Sequence, residues 1–166
     1  IATVERGVFG QDTLLQGTRS VSVADSRGNQ LSSADYAVDA GLGVEIKTAE
    51  TVNLTFDADG RPTSTRYLDG SISYRTYGCC GVESETDRDG VTTTYAYDEM
   101  KRLSYTVRDG ITTLYGYDDA GNQTSVTVKG RENGEITTRN IYSGGRLTAT
   151  VDALGNRTTH ELSLIH

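Results

Sequence analysis

The residues with the most chemical promise in this chain are acidic. Asp57-Ala58-Asp59-Gly60 and Asp87-Arg88-Asp89-Gly90 match fragments of calcium-binding loops, and Ca²⁺ takes about six to eight oxygen ligands. A full EF-hand loop also needs a third ligand and a closing Glu, which neither stretch supplies. Asp that closes a turn by bonding its own backbone accounts for both copies. Asp118-Asp119 sets two carboxylates side by side, the groups that cleave glycosidic bonds when they face each other across a cleft. Neighbours on one turn lack that geometry. Nucleophilic catalysis needs a base beside the nucleophile, and His160 and His166 both stand at the C-terminal end. The expectation is therefore no catalytic, cofactor-binding or metal-ligating residue, and no enzyme activity.

Cys79 and Cys80 are adjacent, and two Cys alone do not complete a zinc site. Two free thiols in a turn is the simpler reading, and a vicinal disulfide is the alternative. Tyr77, Tyr95, Tyr97, Tyr105, Tyr115 and Tyr117 form a ladder that reads first as sheet packing, since aromatic and β-branched cross-strand pairs stabilise sheets. Rings turned to solvent would instead offer stacking surfaces for sugars. Asn53, Asn122 and Asn156 begin N-x-Thr sequons, and the last two follow from a repeated Gly-Asn-x-Thr.

The elements that position these residues are strands. Leu, Ile, Val and Phe supply 34 of 166 residues, whereas Thr supplies 24 and Tyr 10. Thr and Tyr suit a pleated, half-buried surface, and 19 Gly with a single Pro, Pro62, indicate many tight turns. This is the composition of an all-β chain with a thin core. The net charge of −7 argues against nucleic acid, whose phosphates need a basic stripe. No apolar run is long enough to cross a bilayer. The sequence begins at Ile1 with no basic-then-apolar leader, and we read it as an internal piece of a longer protein.

The chain is organised by a repeat. Asp69-Gly70, Asp89-Gly90 and Asp109-Gly110 recur every 20 residues, each between runs of β-formers, which is a strong hairpin signal. Between them lie a second series of turns, in which Gly60, Gly81, Lys101 and Gly121 are equivalent. A fixed period of this size means stacked supersecondary units. Turns are expected at 57–60, 69–70, 78–81, 89–90, 98–101, 109–110 and 118–121. Alternation places Val91, Thr93, Tyr95 and Tyr97 on one face, matched by Ile111, Thr113, Tyr115 and Tyr117. Leu103, Tyr105 and Val107, with Val126 and Val128, are expected to join them in one apolar stripe. Residues 1–50 carry the repeat faintly. There, Val21-Ser22-Val23 leads into an Asp25-to-Asn29 turn, and 34–40 reads as a short helical turn stopped by Gly41 and Gly43. After Val128 the period slips, through a polar loop at 129–134. The end, 162–166, has no repeat character and is set aside as a non-native or unstructured tail. The expected organisation is a degenerate N-terminal β segment over 1–50 and a hairpin array over 51–161.

Four stretches carry a family resemblance: Tyr97-Asp98-x-x-Lys101-Arg102-Leu103, Tyr117-Asp118-x-x-Gly121-Asn122-x-Thr124, Gly145-Arg146-Leu147-Thr148 and Asp152-x-x-Gly155-Asn156-x-Thr158. With Asp57, Gly60, Arg61, Asp69, Gly70, Tyr77, Gly81, Asp89, Gly90, Asp109 and Gly110, they resemble YD repeats, also called Rhs repeats, over residues 51–160. Phe56 and Ile141 stand where Tyr is usual, and Gly78 where Asp is usual. The resemblance implies a β-hairpin ribbon that spirals into a hollow shell. In bacterial members such a shell encloses a C-terminal toxin, and in animal teneurins it forms part of an extracellular adhesion protein. It implies for this chain a curved ribbon of antiparallel hairpins, acting as a structural segment of a large secreted or cell-surface protein without catalysis of its own. The implied partners are flanking repeats and a C-terminal toxin-type domain. The alternative reading is an adhesion module that presents Tyr and Asp to glycans or a cell-surface protein.

The turn reading of the acidic residues makes a measurable statement. Calorimetry should find no stoichiometric Zn²⁺ and Ca²⁺ binding no tighter than about 1 mM. Micromolar Ca²⁺ affinity that disappears on Asp57→Asn and Asp59→Asn would overturn it.

Overall fold

A computed structural model describes residues 1–10, 13–130 and 134–160. Among them are fourteen strands and no helix, so the all-β expectation holds. The tail at 162–166 lies outside the described residues. The chain divides into two compact units, Ile1–Thr76 with Thr86–Gly90, and Tyr77–Glu85 with Val91–His166.

In the first unit, β1 (Ala2–Gly10), β2 (Thr13–Ala24), β3 (Gln30–Asp39), β4 (Val44–Phe56), β5 (Pro62–Tyr67) and β6 (Ile72–Tyr77) follow one another. Each pairs antiparallel with its predecessor. The change of sequence character at residue 50 falls inside β4, within one continuous strand. Residues 34–40 are not helical, because 34–39 lie in β3. Its residues pair on both sides, Tyr36 with Arg19 on β2 and with Lys47 on β4. The Arg19 guanidinium lies 5.5 Å and the Lys47 ammonium 5.9 Å from the Tyr36 ring centroid. Cross-strand pairing on two flanks outweighs the weak local helix preference of the alanines. On β1 and β2, Gly7 and Gly17 are directly opposed. A Cβ on either would stand 2.1 Å from a backbone oxygen of the other strand.

In the second unit, short β7 (Val82–Thr86) precedes β8 (Thr92–Tyr97), β9 (Leu103–Arg108), β10 (Ile111–Tyr117), β11 (Gln123–Lys129), β12 (Glu135–Ser143), β13 (Arg146–Val151) and β14 (Arg157–Thr159). From β8 onward each strand pairs antiparallel with the next. Turns fall at every position the repeat specifies, but they are of two kinds. Asp109-Gly110 is a two-residue loop with positive φ at both positions, 49° and 75°, closed by the pair Arg108 and Ile111. Gly70 and Gly90 take positive φ while Asp69 and Asp89 do not. The 143–146 turn is also a two-residue loop, built on Gly144 and Gly145. It differs from the turn at Gly121, where a single glycine takes positive φ.

Lys101 occupies its turn at φ 63°, so this position needs the left-handed conformation although no glycine fills it. That conformation costs an L residue about 1–2 kcal/mol.

Register breaks the single apolar stripe. Tyr97 faces Leu103, but Ala96 faces Tyr105, because one extra residue bulges between them. Tyr105 and Val107 therefore share a face with Ala96, Thr94 and Leu114. Tyr95, Thr113, Tyr115, Val126 and Val128 lie on the other. A one-residue shift reverses which side a strand presents. Neither face is closed: among the described residues the buried apolar side chains are Leu14 and Ala149. Hydroxyl pairs stand where a core would, such as Ser33 with Thr51 at 2.7 Å and Thr127 with Thr137 at 2.9 Å.

Lys101→Gly should relieve the strained turn, less the entropy glycine adds to the unfolded chain. The expected gain is up to about 1 kcal/mol, read as a higher urea midpoint at unchanged slope. A lower midpoint would show that the Lys101 side chain outweighs its backbone.

Candidate functional site

The repeated feature with the most organised chemistry is a clasp made by one aspartate. Asp98 Oδ1 accepts the N–H groups of Met100 at 2.9 Å and Arg102 at 2.8 Å, and Oδ2 accepts Arg102 Nε at 2.7 Å. Beneath it the Asp98 N–H donates to the Arg102 carbonyl and the Lys101 N–H to the Asp98 carbonyl. Asp57 repeats this with Asp59 and Arg61. In Asp25, Asp118 and Asp152 the fifth residue is Asn, whose Nδ2 replaces the guanidinium at 2.7–2.9 Å. The clasp thus needs Asp followed four residues later by a side chain that donates, with a left-handed residue between them. Every such turn follows its strand without breaking the ladder, and in four of them a bulge comes just before the Asp.

Two tyrosines latch the clasps to neighbouring strands. Tyr117 donates its hydroxyl to the Leu103 carbonyl at 2.9 Å, and Tyr97 does the same to the Val82 carbonyl at 2.9 Å. The β9–β10 ladder ends at Tyr105 and Leu114, so the Tyr117 hydroxyl serves a carbonyl beyond the last ladder pair. Arg102 joins consecutive repeats. Its Nε is held by Asp98, its guanidinium lies 4.5 Å over the Tyr117 ring, and Nη1 donates to the Asp118 carbonyl at 3.3 Å. In the first unit Arg88 lies 4.8 Å over Tyr67 and pairs with Asp69 at 3.4 Å.

The signature residues divide accordingly. Asp57, Arg61, Asp98, Arg102, Asp118, Asn122, Asp152 and Asn156 form clasps. Gly60, Gly121 and Gly155 hold their left-handed positions. Tyr97, Tyr117 and Leu103 form the latches. Leu147 and Thr158 are ladder residues, Thr124 is the extra residue of the bulge opposite Gly116 and Tyr117, and Arg146 opens β13. Gly81 differs from the role its spacing suggests. It lies against Tyr97, where a Cβ would meet the hydroxyl oxygen at 2.7 Å. Its turn has no Asp, and the Gly78 N–H donates to the Gly81 carbonyl. The signature contains the fifth residues Arg61, Arg102, Asn122 and Asn156 and the sequence marks the Asp25-to-Asn29 turn, but neither assigns the side-chain donor its role. The D-x-x-x-N/R spacing carries both.

In the clasps at Asp57 and Asp98 a guanidinium balances the carboxylate within the turn, whereas at Asp25, Asp118 and Asp152 Asn supplies a neutral donor. Arg61 bonds Asp57 at 2.7 Å and Asp59 at 3.2 Å, which puts a cation where Ca²⁺ would have to sit. Among the described residues no three His, Cys, Asp or Glu cluster as a metal site. The Asn122 and Asn156 side chains, followed by their backbone N–H groups, hold the Asp118 and Asp152 carboxyls below their ordinary range. The Arg102 N–H and guanidinium do so for Asp98 against a partial desolvation cost.

No protein-family profile matches the chain, and no curated protein does. Solved structures do. TcdB2-TccC3-Cdc42 is 11% identical at a TM-score of 0.38, over 82% of this chain and 10% of that one. TcdB2-TccC3 without its hypervariable C-terminal region is 10% identical at 0.39, over 84% of this chain and 10% of that one. This chain spans about a tenth of the length of the structures it matches, and at these scores the likeness carries no further argument.

A lowered carboxyl pKa stabilises the fold above the unfolded value and stops doing so as pH falls through the folded one. With the ordinary value at 3.8, the melting temperature should stay level from neutral pH to about pH 5 and drop below about pH 4. Asp118→Asn with Asp152→Asn should lower it by several degrees at neutral pH and make the acid drop shallower. An unchanged acid profile in that double variant would show that the clasps are not what acid breaks.

Proposed function

We propose that this chain is a structural segment of a YD-repeat shell in a large secreted or cell-surface polypeptide, with residues 51–161 as its hairpin array. Its partners in this reading are flanking repeats and a C-terminal toxin-type domain, and it carries no catalysis of its own. The observation behind the reading is the tyrosine-latched aspartate clasp, repeated on a sheet whose two faces stay half-open. Among the described residues the buried apolar side chains are only Leu14 and Ala149, which leaves apolar surface for a larger assembly. The clasps bond within their own turns and to the next repeat, so their carboxylates serve architecture rather than a substrate.

The adhesion reading would need an outward row of rings. In the second unit Tyr95, Tyr97, Tyr115 and Tyr117 are half-buried and Tyr105 is 42% exposed. That arrangement favours the shell.

Stability of a repeat array is nearly a sum over units and neighbour interfaces, and open sheet edges pair with other chains. Hydrogen exchange on the isolated chain should find the strongest protection within 77–128, with earlier fraying in 1–50 and after 129. Sedimentation velocity should show association that grows with concentration. Even protection throughout in a monodisperse monomer would overturn the shell reading.

A further inference from the structure

The turn Gly78-Cys79-Cys80-Gly81 has thiols where other turns have a clasp. Both cysteines are free, Cys79 exposed and Cys80 half-buried. They border an open cleft of about 300 Å³ that Glu83, Tyr95, Ala96 and Tyr97 also line. The Cys80 thiol is pushed above its ordinary range by its side-chain interaction with Cys79 and by partial burial. The far end of the turn bears on a latch. Gly81 lies so near the Tyr97 hydroxyl that a Cβ would come within 2.7 Å of it, and that hydroxyl donates to the Val82 carbonyl.

We propose that Cys79-Cys80 is a thiol-modification site that exchanges with small disulfides to form a reversible vicinal disulfide, and that its state sets the Tyr97–Val82 latch. Successive Cα atoms lie ~3.8 Å apart across a trans peptide, and disulfides prefer about 4.4–6.8 Å. The ring is therefore strained, and strained disulfides are the reducible, regulatory ones. Exposed Cys79, as thiolate, attacks a small disulfide RSSR and forms a mixed disulfide, releasing one RS⁻. Cys80, deprotonated in turn, attacks the Cys79 sulfur and displaces the second RS⁻. Two protein thiols are oxidised, RSSR is reduced to two RSH, and the two thiol protons end on the released thiols. Closing the ring pulls the Cys79–Cys80 peptide from planarity, shifts Gly81 and loosens the hydroxyl above it. The inference does not depend on the shell reading.

The test is oxidised glutathione on the whole chain, followed by intact mass, peptide mapping and hydrogen exchange. The expected product has lost two hydrogens, carries a Cys79–Cys80 bond and reverts with dithiothreitol. Amide exchange over 82–86 should quicken about fivefold, as for the loss of one hydrogen bond. Cys79→Ser and Cys80→Ser should each stop at a mixed disulfide. Tyr97→Phe should quicken exchange over 82–86 without oxidant, and oxidation should add nothing further. Mixed disulfides alone on the native chain would overturn the site, and a vicinal bond that leaves 82–86 unchanged would overturn its link to the latch.

Discussion

The structure depends on one carboxylate holding two backbone N–H groups and a donor side chain four residues on. Each unit is a run of hairpins with little buried apolar area, so the geometry of every turn has to be held where it occurs. The clasp does that by satisfying amides that a turn leaves outside the ladder. Because Arg or Asn supplies the last donor, the motif varies in charge while keeping its shape. Arg102 adds a second function, since its guanidinium spans from Asp98 to Tyr117 and Asp118.

Clasped turns and two-residue loops alternate through 98–121, and they impose different registers. The Asp109-Gly110 loop continues the ladder directly from Arg108 to Ile111, whereas the Asp98 and Asp118 turns carry a bulge. Bulges raise local twist and turn side chains to the opposite face. Neither face can then collect all the large residues. Serine and threonine fill the gaps by pairing their hydroxyls, as in Thr55 with Ser64 at 2.7 Å, and Ser64, Ser73 and Thr93 are buried. An interior built this way excludes water less well than an aliphatic one, which makes backbone and turn bonds relatively more important.

One turn breaks the pattern chemically. With Gly78 in the aspartate position, nothing in the 78–81 turn can form the clasp. Its hold on the next strand passes to the contact between Gly81 and Tyr97, where a side chain has no room.

Much of this was legible in the residues. The strands, the turn positions and the period follow from local rules: Asp, Asn and Gly specify turns within four or five residues, and alternating Thr, Tyr and Val specify strands between them. Those signals are short-range, so a sequence expresses them directly. Two features depended on what lies across the sheet, and a third on a clasp closed within its own turn. Residues 34–39 became a strand because β2 and β4 flank them. Lys101 entered the left-handed region because the clasp at Asp98 and Arg102 constrains its turn. The apolar residues split between two faces because a bulge of one residue, invisible in the alternation of β9 alone, sets Tyr105 against Ala96. Over residues 51–128 the sequence by itself determined the elements and their order. Only the pairing of distant strands decided register, and with it which side chains meet.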